Sequence, residues 1–111
     1  MIEMNLNPIP FELIINGLKD IEMRLFDERR RNIKVGDQIE FTNNVTGEKL
    51  LVDIINLYRF DSFDELYEHF PKERLGYLPD EKANPRDMEQ YYSKDKIEQY
   101  GVIGIEIKLV K

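Results

Sequence analysis

An α+β domain, with short helices set between the strands of a mixed sheet or a small barrel, is the fold class this sequence predicts. Three observations carry it. The chain has 111 residues, room for one domain over 1–111. At least four segments have a strand signature, and short segments with helical spacing and capping residues fall between them. The regular alternation of a doubly wound parallel fold is absent, and a sheet this short must cover or close its edges.

The elements follow in chain order. Asn7-Pro8-Ile9-Pro10 places a capping residue and first-turn prolines ahead of Phe11, Ile14, Ile15 and Leu18, a stripe with the spacing of a short amphipathic helix. Gly17 stands where such a helix stops, because glycine takes the left-handed conformation that closes a last turn. From Ile21 to Phe26, Ile21, Met23 and Leu25 alternate with Glu22 and Arg24, which reads as a half-buried strand with opposite charges on its polar face. Val35-Gly36-Asp37 reads as a turn into a strand around Ile39 and Phe41. The turn formers from Asn43 to Gly47 connect that strand to the β-rich run Leu50 to Tyr58, completing a hairpin.

Ser62-Phe63-Asp64-Glu65 matches a capping box, and Phe63, Leu66, Tyr67 and Phe70 follow at helical spacing. Pro71 to Pro85 is polar and irregular, with one helical turn at Lys72–Leu75. Asn84-Pro85 caps a third helical piece marked by Met88, Tyr91 and Tyr92, and Ser93 caps a further turn that reaches Tyr100 and stops at Gly101. The last strand, Val102 to Val110, alternates Ile103, Ile105, Ile107 and Leu109 with Gly104, Glu106 and Lys108.

Composition narrows the chemistry. Sixteen basic against 22 acidic residues give a net charge of −6, and 41% hydrophobic with 34% charged residues describe a soluble chain that folds alone. The absence of cysteine excludes disulfides, thiolate nucleophiles and cysteine-based metal centres. With a single histidine, a Ser-His-Asp triad would depend on His69 and a multi-histidine metal site is impossible, so neither a metal nor a cofactor is expected. No apolar run approaches the roughly 20 residues needed to cross a bilayer. The start MIEMNLNP lacks the basic and apolar parts of a signal peptide, and the expectation is a cytoplasmic protein with no membrane partner. The six glycines are dispersed, and neither phosphate-binding glycine motif occurs.

Charge is unevenly spread. Lys19, Arg24, Arg29, Arg30, Arg31 and Lys34 face four acidic residues in the same stretch, a local balance of +2 that leaves −8 for the rest of the chain. Broad charge-driven binding to nucleic acid is therefore disfavoured, while one local anion site is permitted. Arg29-Arg30-Arg31 reads either as part of that site or as a solvated run. His69, beside Phe70-Pro71 at a helix end, reads as structural, and the tyrosines at helical spacing read as core.

The distinctive cluster is Gly17-x-Lys19-x-x-Glu22-x-Arg24, a helix stop followed by lysine, glutamate and arginine at the mouth of a strand. Alone it is compatible with a surface ion-pair strand. With Val35-Gly36-Asp37 downstream it resembles the G-x-K-x-x-E-x-R signature and "G-D" turn of ASCH domains of the PUA-like superfamily. Phe63–Phe70, Glu73-Arg74-Leu75-Gly76, Met88–Tyr92 and Tyr100–Ile105 extend the likeness to small stand-alone bacterial ASCH proteins over essentially the whole chain. The resemblance implies a PUA-like β-barrel of five or six mixed strands with flanking short helices. It also implies a cleft where Lys19, Glu22 and Arg24, joined by Arg29, Arg30 and Arg31, bind RNA or a nucleotide.

One branch of that family, small amidohydrolases acting on acetylated cytidine, is proposed to use a lysine, a threonine three residues later and a downstream glutamate. The lysine corresponds to Lys19 and the glutamate to Glu73, whereas Glu22 stands where the threonine would be. The alternative function is therefore removal of the acetyl group from the exocyclic amine of acetylated cytidine, with Lys19, Glu22 and Glu73 as catalytic candidates. A protein-interaction module using the acidic stretches Asp64–Glu68 and Asp87–Gln90, its partner unknown, is the second alternative. Strand alternation further predicts that Glu22 pairs with Arg24 on a partly exposed face and leaves Lys19 free for a ligand.

Overall fold

The structure, a computed structural model, describes residues 1–110. Five strands form one mixed sheet: β1 (Ile2–Leu6), β2 (Ile21–Leu25), β3 (Gln38–Asn43), β4 (Lys49–Phe60) and β5 (Val102–Leu109), in the order β1-β3-β4-β5-β2. The pairs β3–β4, β4–β5 and β5–β2 are antiparallel, and β1 runs parallel to β3 with Ile2 opposite Ile39 and Leu6 opposite Asn43. The predicted α+β class with five mixed strands is what the chain adopts.

β4 is the spine. Its 12 residues are long enough to pair with β3 through one half and β5 through the other, and a bulge between Ile54 and Asn56 turns Ile55 outward. Such an extra residue bends a strand and strengthens its twist, so the sheet curls into a half-barrel. Its two edge strands come close enough for the Arg24 guanidinium on β2 to donate Nη2–H to the Asn5 carbonyl on β1 at 2.9 Å. Among the described residues no backbone ladder joins β1 to β2, so this side-chain bond bridges the seam.

Short helices cover the sheet. α1 (Pro8–Ile15) inserts Phe11 and Ile14 against Met4, Ile39, Phe41, Val52, Ile54 and Ile105, one of the two core clusters. α2 (Phe63–His69), α3 (Lys72–Leu75) and the 3-10 helix Pro85–Gln90 place Phe63, Leu66, Leu75 and Met88 over Ile21, Met23 and Val102, the other cluster. Phe11, Phe41, Phe63 and Leu66 are fully buried, and each contributes about 1.5–3 kcal/mol by leaving water. α4 (Lys94–Tyr100) closes the chain ahead of β5. Three of the capping predictions are met: Ser62 Oγ accepts from Glu65 N, Asn84 Oδ1 from Arg86 N and Ser93 Oγ from Lys96 N.

Three local expectations are corrected. The first residues form β1, a strand with only a weak signal in the sequence. Asn7 precedes α1 without capping it by its side chain; its Oδ1 instead accepts from Asn44 Nδ2 at 2.8 Å. α1 ends at Ile15, so Leu18 falls beyond the helix and is exposed rather than part of its apolar stripe.

Candidate functional site

Between the seam and the helices lies a cavity of about 380 Å³, within the range of small-molecule sites. Its charged wall comes from the segment joining α1 to β2. The amides of Leu18 and Lys19 both donate to the Leu13 carbonyl, at 2.9 and 3.1 Å, which fixes the backbone where Lys19 leaves the helix. The stem of Lys19 then runs beneath Gly76, whose backbone has φ +109° and whose missing Cβ would lie 3.1 Å from Lys19 Cδ. Two residues on, β2 delivers Glu22 and Arg24 to the same cavity.

Glu22 is the hub of this wall. It is 4% exposed, and each carboxylate oxygen meets a different cation: Oε1 is 3.2 Å from Lys19 Nζ and Oε2 is 2.7 Å from Arg24 Nε. Burial alone pushes the carboxyl up, but the charges and hydrogen bonds of Lys19 and Arg24 outweigh it and hold the group below its ordinary range. The pairing of Glu22 with Arg24 is as expected from the strand. The partly exposed face and the free lysine are not: β2 is covered on both faces, and Lys19, itself 8% exposed, is held by Glu22. Because one carboxylate faces two cations, the trio retains a charge of +1.

Tyrosines form the other wall. Tyr67 from α2 and Tyr77 after α3 meet hydroxyl to hydroxyl at 2.9 Å, and Tyr77 donates to Asp87 Oδ2 at 2.7 Å. Tyr91 is exposed at the rim, whereas Tyr92 stacks on Phe63 and approaches the Arg24 guanidinium. The tyrosines read as core are thus divided between packing and cavity. Asn5, Tyr67 and Tyr77 carry no distinctive signal in the sequence: Asn5 lies on a strand with a weak pattern, Tyr67 fits a helical stripe and Tyr77 lies in irregular chain, while Asp87, on the 3-10 helix Pro85–Gln90, is marked only as part of an acidic stretch.

The remaining candidates are dispersed. Glu73 is exposed on α3 and is not among the residues lining the cavity, so Lys19 and Glu73 are not brought together. Arg29 and Arg30 line a second cavity of about 460 Å³ on the β1 side, which shares Arg24 and Asn5 with the first. Arg30 is buried and paired with Asp27 at 2.9 Å, while Arg31 is exposed and lines neither cavity. His69 packs its ring against Tyr58, Phe60 and Phe70 at the end of α2, the structural role expected of it. Asp64 and Glu89, from the two acidic stretches, share Arg86. Among the described residues no group of three or more His, Asp or Glu side chains is placed to hold a metal ion, and no helix is long and apolar enough to cross a membrane.

The family model of the ASCH domain matches residues 4–111. No curated protein matches the chain. Among solved structures it is similar to the hypothetical protein PH0355, at 37% identity with a TM-score of 0.84 over 97% of each chain. It is also similar to the protein PF0455 from Pyrococcus furiosus, at 38% identity with a TM-score of 0.73 over 99% of this chain and 97% of that one. An ASCH domain from Lactobacillus crispatus shares the fold at 12% identity, with a TM-score of 0.67 over 97% of this chain and 79% of that one.

Proposed function

The chain belongs to the ASCH domain family, and from that premise we propose that it is a binding module for a nucleotide or a short single-stranded stretch of RNA. The observation that carries this reading is the buried Lys19–Glu22–Arg24 trio lining a cavity flanked by tyrosines. A buried carboxylate shared by two cations fixes both heads and still leaves one positive charge unbalanced for a phosphate or a base carbonyl. Tyrosine faces offer stacking surface to a base. Glu22 orients the two cations, while Lys19 and Arg24 meet the ligand.

The charge distribution supports local rather than extended contact. With the remainder of the chain acidic, few phosphates are neutralised and binding stays confined to the cleft. Titration with a labelled single-stranded RNA library and with free nucleotides at low salt tests the reading. Saturable binding that Lys19→Ala and Arg24→Ala each weaken is expected; no binding, or binding indifferent to both, ends it.

The hydrolytic alternative gains no support from the geometry. Glu73 is not placed to act on a group held by Lys19, and Glu22 in the threonine position is occupied by its two cations. Release of cytidine from acetylated cytidine, followed by chromatography and lost in Lys19→Ala, would restore that reading.

A further inference from the structure

We infer that the cleft selects ligands that donate an N–H to the Tyr67 hydroxyl, because a hydroxyl chain fixed from its far end leaves Tyr67 with only lone pairs to offer. The argument is one of hydrogen inventory. A tyrosine hydroxyl has one hydrogen and can accept besides. Tyr77 Oη has three neighbours: Asp87 Oδ2 at 2.7 Å, the Asn84 carbonyl at 3.2 Å and Tyr67 Oη at 2.9 Å. The first two are a carboxylate and a carbonyl, which can only accept. The single hydrogen of Tyr77 is therefore committed to them, and in the bond between the two hydroxyls Tyr67 must be the donor. With that hydrogen spent, the half-buried Tyr67 oxygen turns an acceptor to the cavity it lines. Burial and the bond to Tyr77 hold its hydroxyl well above the ordinary tyrosine range, so it keeps the proton this arrangement requires.

The opposite polarity stands on the charged wall, where Lys19 and Arg24 carry donors only. A ligand that satisfies both walls has a carbonyl or phosphate oxygen for the cations and an N–H for Tyr67, as an unsubstituted nucleobase edge does. A ligand with a methyl group in place of that hydrogen leaves the Tyr67 lone pairs desolvated and unpaired, which is the costly outcome. The inference rests on the nucleotide-binding reading and adds the selection rule that Asp87 imposes through Tyr77.

The test compares the four nucleoside monophosphates, each against its counterpart with the base-pairing N–H groups methylated, by calorimetric titration of the full chain. For each nucleotide that binds, methylation is expected to weaken binding by about tenfold or more. Tyr67→Phe removes the acceptor and should bring that ratio below about threefold. Tyr77→Phe frees the Tyr67 hydrogen to turn into the cavity and should lower the ratio likewise, although Tyr67 itself is retained. A role confined to tethering α2 would weaken methylated and unmethylated ligands alike. A native ratio near one, or a ratio that survives Tyr67→Phe, overturns the selection rule while leaving nucleotide binding in place. No binding by any nucleotide overturns the nucleotide reading and this inference together.

Discussion

Glu22 shows how burial changes the meaning of an ion pair. On an exposed strand face the Glu22–Arg24 pair would contribute about 0–1 kcal/mol, and removing it would barely alter stability. At 4% exposure, deleting the carboxylate strands two cations away from water, for which about 3 kcal/mol is the expected loss. Glu22→Gln should therefore lower the denaturant midpoint markedly, and Lys19→Met, which preserves the 2.7 Å Glu22–Arg24 contact, should lower it less. Proton linkage sharpens the test. Since the folded carboxyl is held below its ordinary value of 4.5, its contribution is complete above that value and is lost as pH falls through the lower, folded one. Native and Glu22→Gln stabilities should converge on acidification in urea titrations at stepped pH; parallel curves would show that Glu22 is not charged in the fold. The motif itself was legible, since Lys19, Glu22 and Arg24 stand at a helix stop and a strand mouth. Burial was not, because period-two alternation of apolar and charged residues describes a solvated face as well as one covered by other segments.

Among the elements, α3 contributes most to the site for its size. Its four residues end at Gly76, whose left-handed backbone turns the chain over the Lys19 stem. Behind it Arg74 donates to both oxygens of Asp20 at 2.9 and 3.0 Å and to Glu106 at 3.1 Å, fastening α3 to the start of β2 and to β5. Gly76→Ala combines an unfavourable backbone conformation, about 1–2 kcal/mol, with a Cβ that the lysine stem must yield to. The expected result is a moderate stability loss with a disproportionate fall in ligand affinity, read from denaturation and titration of one preparation; an affinity equal to that of the native chain would show that Lys19 does not need this support. The elements whose signals are local were the ones legible in the sequence. The β3–β4 hairpin has its turn formers, β5 its four alternating branched and leucyl residues, and α2 its capping box. β1 has alternation too, in Ile2, Met4 and Leu6, but glutamate and asparagine are weak strand formers and its partner is β3, more than thirty residues along the chain. The tyrosine wall was illegible for a related reason, since α2, the segment after α3 and the 3-10 helix each supply one of its hydroxyls or carboxylates.

At the scale of the whole molecule, a net charge of −6 and a single cationic trio set the response to salt. If two or three phosphates are neutralised, the logarithm of the association constant should fall with the logarithm of salt at a slope of about −2 or shallower, from ~0.7 per contact on single strands. A steep slope between low and moderate salt would mean that Arg29 and Arg31 join in and that the site extends along the outside of β1. The seam gives that side of the molecule a particular property. Arg24 spends Nε on Glu22 and one Nη2 hydrogen on the Asn5 carbonyl, with Tyr92 beside the same guanidinium. A ligand that grips Arg24 therefore also steadies the clasp on the first strand, and its binding should slow amide hydrogen exchange over residues 2–6 more than over β5. Thermodynamic reciprocity runs the other way as well. Mechanical drag on the N-terminal strand, as from a bulky fused domain, should loosen the grip on the ligand by the same factor, so that half-closing the barrel through one arginine makes occupancy of the cleft and anchorage of the chain's first residues two readings of a single equilibrium.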